Sequence, residues 1–83
     1  MEIEVECYGA SARWCGGKQV VKVNAGKGAV TVGAVLAVLA NQYPDLSLHR
    51  ATIAVAIDDE IVHDSRVVLN GQVLALIAPV SGG

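Results

Sequence analysis

The sequence has no phenylalanine, one tryptophan and two tyrosines, yet 53% of its residues are hydrophobic. Its core must therefore be built from aliphatic side chains, chiefly valine and alanine. No run approaches the ~20 consecutive apolar residues that a membrane-spanning helix requires, so no membrane partner is expected. Basic residues are scarce: six Lys and Arg stand against eight Asp and Glu, a net charge of −2. That excludes the positive field that holds nucleic acid or anionic lipid. Cysteine is limited to Cys7 and Cys15. Their separation is not a zinc-ligand spacing and no second pair exists, so no metal is expected. The opening Met-Glu-Ile-Glu lacks the basic and apolar regions of a signal peptide. A cytoplasmic location is expected, with both cysteines as reduced thiols. Low-complexity segments and internal repeats are absent too. At 83 residues the chain is one domain that buries about 60–65% of its unfolded surface.

What is present is a readable alternation. Ile3, Val5 and Cys7 point one way, and Glu2, Glu4, Glu6 and Tyr8 the other, the signature of a half-buried strand. Gly9 ends it. Ala10 to Cys15 is expected to form a short helical turn closed by Gly16-Gly17. Lys18 to Val23 alternates again and predicts an antiparallel hairpin with the first strand. Asn24 to Gly28 is a loop by composition. Thr31 is a plausible N-cap, and Val32, Val35, Leu36, Leu39, Ala40 and Tyr43 follow in one helical stripe. Pro44 stops that helix. Asp45 to Arg50 is expected to be irregular, anchored by Leu46 and Leu48. Thr52 to Ile57 predicts a third strand in a central position, Asp58-Asp59 a turn, and Ile61-Val62 a short return strand. Asp64 to Leu69 is a connection, Asn70-Gly71 the best tight-turn dipeptide, and Gln72 to Ala78 the last strand.

The order β-β-α-β-β-β describes an α+β roll with one main helix on one face of a mixed sheet. The last strand is expected beside the first. This is the β-grasp arrangement of ubiquitin-like proteins, covering residues 1–78, with residues 79–83 as a flexible Gly-Gly tail.

Candidate chemistry among the side chains is thin. Cys7 reads as a small core hydrophobe. Cys15 follows Trp14 in a loop with no nearby group to lower its pKa. His63-Asp64-Ser65 holds three triad residue types, but a triad is assembled from separate elements, not from neighbours. His49 offers nothing testable. Gly26-Lys27-Gly28 lacks the spacing of a phosphate loop. Asp58-Asp59-Glu60 with Asp64 fits no calcium loop. The Glu2, Glu4, Glu6 row is a solvated strand face.

The C-terminal segment is different. Leu74 and Leu76 take one face of the last strand, and Val73, Ala75 and Ile77 the other. A single helix covers one face of a sheet only, so the second apolar face is expected to be kept for a partner. Pro79 fixes its own φ and holds Ala78 extended. Val80 can anchor, and Ser81, Gly82 and Gly83 have little or no bulk. Gly82 and Gly83 lack Cβ atoms and can thread a narrow channel. The one chemical group delivered there is the carboxylate of Gly83, which becomes reactive once activated as an acyl-adenylate.

Asn70-Gly71-Gln72, the apolar strand and the ending Pro79-Val80-Ser81-Gly82-Gly83 resemble the MoaD group of β-grasp sulfur carriers, the small subunit of molybdopterin synthase. Tyr8-Gly9 with Ala12-Arg13, and Thr31-Val32-Gly33 at the helix start, extend the resemblance over the whole chain. Ala78 stands where that family has a first Pro, Asn70 and Gln72 replace acidic residues, and Trp14-Cys15 stands where Glu-Leu is usual. The resemblance implies a sulfur carrier of molybdenum cofactor biosynthesis. An adenylating enzyme of the ubiquitin-activating type would spend ATP on Gly83, and a sulfur donor enzyme would convert it to a thiocarboxylate. On the large synthase subunit, which holds the active site, the sulfur would pass to cyclic pyranopterin monophosphate to build the molybdopterin dithiolene. No cofactor would be bound by this chain. Val73, Ala75, Ile77, Pro79 and Val80 would form the partner interface. A sulfur carrier for thiamine or cysteine biosynthesis, a ubiquitin-like modifier conjugated through Gly83, and a purely non-covalent interaction module are the alternatives.

Overall fold

The computed structural model describes residues 2–9, 17–24 and 28–78. Five strands form one mixed sheet in the order β2-β1-β5-β3-β4. They are β1 (Glu2–Gly9), β2 (Lys18–Lys22), β3 (Ala54–Ile57), β4 (Glu60–Val62) and β5 (Val73–Ala78). One main helix, α1 (Val32–Gln42), crosses the sheet, followed by a short α2 (Pro44–Leu48) and a 3-10 turn over Arg50–Thr52. This is the expected β-grasp fold, and β5 lies parallel to β1 with Cys7 opposite Leu76. The third strand is internal, as expected, but the centre of the sheet belongs to β5.

The alternation of β1 decides the two faces. Ile3, Val5, Val21, Val55, Ile57, Leu74 and Leu76 point inward and are buried. α1 covers them with Val32, Val35, Leu36 and Leu39. At 11 residues the helix is shorter than the ~12–15 that stand alone in water, so packing holds it rather than propensity. Its start is tied down three ways. Thr31 Oγ1 accepts from the Ala34 N–H at 3.2 Å, and the N–H groups of Val32 and Gly33 donate to the carbonyls of Arg66 and Asp64 at 2.9 Å. That close approach accounts for Gly33, where a Cβ would sit 3.3 Å from the Asp64 carbonyl oxygen. At the other end, the Gln19 side chain of β2 donates to the Tyr43 hydroxyl.

Three expectations are corrected. The segment after Pro44 is helical rather than irregular, because Pro occupies the first turn, where its missing N–H costs nothing. Leu46 is the buried anchor, whereas Leu48 is 78% exposed. Cys7 is buried as expected but is disulfide-bonded and not a reduced thiol. The chain folds back here, with the Cys7 N–H donating to the carbonyl of Gly17. Cys15 and the helical turn expected over Ala10 to Cys15 lie outside the described residues.

Candidate functional site

The side of the sheet opposite α1 is apolar along its middle. Register places Val73, Ala75 and Ile77 of β5 beside Glu4, Glu6 and Tyr8 of β1. On the other side Ala75 faces Ala56, and Ile77 faces Ala54. Ile61 of β4 continues the row from Ala56. Ile77 is 40% exposed, Tyr8 50% and Ile61 66%. Together with Glu6, Ala56, Asp58, Asp59, Gly71, Val73 and Ala75 they line a shallow cavity of about 600 Å³. Val73, Ala75 and Ile77 are therefore brought together on one open face.

Polar groups frame that face. Lys18 Nζ pairs with Glu4 at 3.2 Å, reaching diagonally past Glu6, its direct cross-strand neighbour. Glu6 instead accepts a hydrogen bond from the Tyr8 hydroxyl. That bond, and then the carboxylate's negative charge, raise the Tyr8 pKa above the usual phenol value of 10.0. At the far end Asp58 and Asp59 both take positive φ, 52° and 67°. They close the two-residue β3–β4 hairpin, whose flanking pair is Ile57 and Glu60. Gln72 donates to Asp58 Oδ2 at 3.2 Å and accepts from the Leu69 N–H at 2.8 Å. Asn70-Gly71 makes a turn rather than a hairpin. Only Gly71 of the pair has positive φ, 89°, and the Gln72 N–H returns to the Leu69 carbonyl at 3.1 Å.

The parallel pairing fixes where the face leads. β1 and β5 reach the same edge of the sheet, where Gly9 pairs with Ala78. Residue 79 follows Ala78 directly, two positions after Ile77. Pro79, Val80, Ser81, Gly82 and Gly83 themselves lie outside the described residues.

The other candidates resolve into structure. Asp64 binds Arg50 through its carboxylate and α1 through its carbonyl, while the Arg66 N–H closes a turn onto the His63 carbonyl at 3.0 Å. His63-Asp64-Ser65 is thus part of a connection. Among the described residues no three His, Cys, Asp or Glu side chains gather as a metal requires. None of the described helices is long and apolar enough to cross a membrane. Gly26 and Lys27 lie outside the described residues. Sequence reasoning missed the contribution of Tyr8, Ala56, Ile61 and the Asp58-Asp59 turn to the open face. Alternation gave the outward face of Tyr8, but only the strand register brings Tyr8 and Ala56 beside β5, with Ile61 beyond Ala56.

A β-grasp sheet with one covered face and one open apolar face, leading into a Gly-Gly segment, defines a ubiquitin-like protein. The chain belongs to the ThiS family of ubiquitin-like sulfur carriers and modifiers, whose model matches residues 15–83. Among solved structures it is similar to SAMP1 from Haloferax volcanii, a small archaeal modifier protein, at 26% identity with a TM-score of 0.83 over 100% of both chains. A chain of the BexX/CysO complex of Amycolatopsis orientalis matches at 22% identity and TM-score 0.69, covering 98% of this chain and 99% of that one. A chain of the complex between subunits 1 and 2 of the molybdopterin-converting factor of Helicobacter pylori matches at 21% identity and TM-score 0.68, over 100% of both. Those last two likenesses concern the fold. No curated protein is significantly similar in sequence.

Proposed function

We propose that this protein is the sulfur carrier of molybdenum cofactor biosynthesis, the small subunit of molybdopterin synthase. The observation that carries the reading is the continuity between the open face of β5 and the Pro79-Val80-Ser81-Gly82-Gly83 ending in a chain of the ThiS family. The face docks, and the segment delivers the Gly83 carboxylate. Five residues reach at most ~17 Å when extended. The partner's catalytic groups must therefore lie within that distance of the Ala78 edge.

The chemistry proceeds in three steps, each on a partner. A Gly83 carboxylate oxygen attacks the α-phosphate of ATP on an adenylating enzyme and releases pyrophosphate. Hydrosulfide, from a sulfur donor enzyme, then displaces AMP and leaves a thiocarboxylate. On the large subunit that sulfur is transferred to cyclic pyranopterin monophosphate. This chain contributes no catalytic side chain; Gly82 and Ser81 contribute their small size and Gly83 its carboxyl. The likeness to SAMP1 supports a second reading, a modifier joined to lysines through Gly83, which shares the adenylation step.

Intact-mass measurement after incubation with the organism's adenylating enzyme, ATP and sulfide tests both. Exchange of one oxygen for sulfur, followed by dithiolene formation with the large subunit and cyclic pyranopterin monophosphate, is expected. High-mass lysine conjugates without the exchange would replace the carrier reading by the modifier one.

A further inference from the structure

The two cysteines carry chemistry that the proposed function leaves unused. Cys7 is disulfide-bonded, and the sequence holds one other cysteine, Cys15. At 6% exposure Cys7 is too enclosed to bond to another molecule. The bond therefore lies within the chain and closes a ring over residues 7–15. Its Cys7 end is anchored in the buried cluster beneath α1, on the side of the sheet away from the open face.

Strand register places that anchor at the root of the C-terminal segment. Cys7, Tyr8 and Gly9 pair with Leu76, Ile77 and Ala78. The pairing of β1 with β2 stops at Glu6, and the pairing of β5 with β3 stops at Ile77. Gly9 therefore makes the last rung, at Ala78, from a strand end that has outrun β2. Cys7 fixes that strand end twice, by its N–H to the Gly17 carbonyl at 2.5 Å and by its disulfide. Roughly 7 Å of strand separates it from Gly9.

We propose that the Cys7–Cys15 disulfide is a redox switch on delivery of the Gly83 carboxyl. Closed, it holds the strand end that carries the last rung. Open, Cys7 becomes a small buried thiol, the rung is held by hydrogen bonds alone, and residue 79 leaves the sheet over a wider range of directions. The proposal rests on the carrier reading, whose own reagent is the reductant. Hydrosulfide attacks the Cys15 sulfur, because the enclosed Cys7 sulfur offers no line of approach. A new S–S bond forms on Cys15, the Cys7–Cys15 bond breaks, and its electron pair leaves on Cys7, which takes a proton. A second hydrosulfide removes the outer sulfur as hydrogen disulfide and leaves Cys15 a thiol. Exchange with an oxidised low-molecular-weight disulfide restores the bond.

The test compares the full-length chain in its disulfide form with the dithiol form, prepared with hydrosulfide and freed of it before assay. Intact mass is expected to show a gain of two hydrogens, by way of an intermediate heavier by one hydrogen sulfide. The dithiol form is expected to stay folded at the assay temperature and to unfold roughly 10–20 °C lower, as loss of a short ring requires. In ATP–pyrophosphate exchange with the organism's adenylating enzyme, its kcat is expected to be about tenfold lower. KM should stay within about twofold, because the docking face is untouched. Cys15→Ser is expected to match the dithiol form and to ignore hydrosulfide, which rules out an effect on the enzyme. Equal or higher kcat in a folded dithiol form, a bond that hydrosulfide leaves closed, or a dithiol form already unfolded would each overturn the switch, while exchange by the disulfide form keeps the carrier reading. If neither form supports exchange, the carrier reading falls and the switch with it.

Discussion

Tyr8 lies on the open face beside Ile77. Its hydroxyl donates to Glu6, so ionising the phenol would lose that bond and place a second negative charge beside the carboxylate, and its pKa rises. A raised folded-state value means that the contribution to stability is present below the unfolded phenol's pKa of about 10 and is lost as pH climbs through the higher folded value. Ultraviolet titration of the Tyr43→Phe variant is expected to show a midpoint above 10.0, and Glu6→Gln is expected to bring it down. An unchanged midpoint in Glu6→Gln would place the cause elsewhere. Gly71 gives a second residue-scale prediction. No atom lies within 4 Å of where its Cβ would be, but its φ is +89°. Gly71→Ala should therefore cost about 1 kcal/mol in chemical denaturation from backbone strain alone. At this scale the sequence was informative about direction and about which strands adjoin, and silent about register. The alternation of Glu6 and Tyr8 told which face they take. That they flank Ala75 and Ile77 depends on a parallel pairing between the two ends of the chain.

At the scale of elements, the helix was legible because its apolar stripe is long enough to show a period. Thr31 caps it and Val32, Val35, Leu36 and Leu39 are buried, as the spacing required. α2 was not legible because five residues hold barely one turn, too few for periodicity, and its proline read as a stop. The Asp58-Asp59 turn was recognised, but its left-handed backbone was not, since Asn-Gly is the stronger signal and lay at residues 70–71. Packing, not capping, dominates the stability of α1. Leu39 is fully buried in the core, and Leu39→Ala is expected to cost about 2–5 kcal/mol. Thr31→Ala loses one capping bond and is expected to cost about 1 kcal/mol. Thermal unfolding of the two variants should rank them in that order; the reverse order would mean that the helix is held by its end rather than by its face.

For the molecule as a whole, the proposed function puts docking on β5 and chemistry on the residues after it, which makes the two separable. Ile77 is half-exposed, stands beside Tyr8 and Ala54, and takes no part in the buried cluster. Ile77→Asp should therefore leave the protein folded, with a loss of at most about 1 kcal/mol from strand preference. On the partner it places a charge in the middle of an apolar contact, where desolvation of an unpaired carboxylate costs several kcal/mol in a dry interface. Affinity for the adenylating enzyme is expected to fall more than about tenfold. Removal of Gly83 does the converse. The face is untouched, so affinity should stay within about twofold, while ATP–pyrophosphate exchange disappears because the carboxylate now stands one residue, about 3.5 Å, short of the nucleotide. Calorimetric binding and exchange assays on the two variants separate the assignments. Wild-type affinity in Ile77→Asp would remove the open face from docking, and exchange surviving the loss of Gly83 would remove the terminal carboxyl from the chemistry.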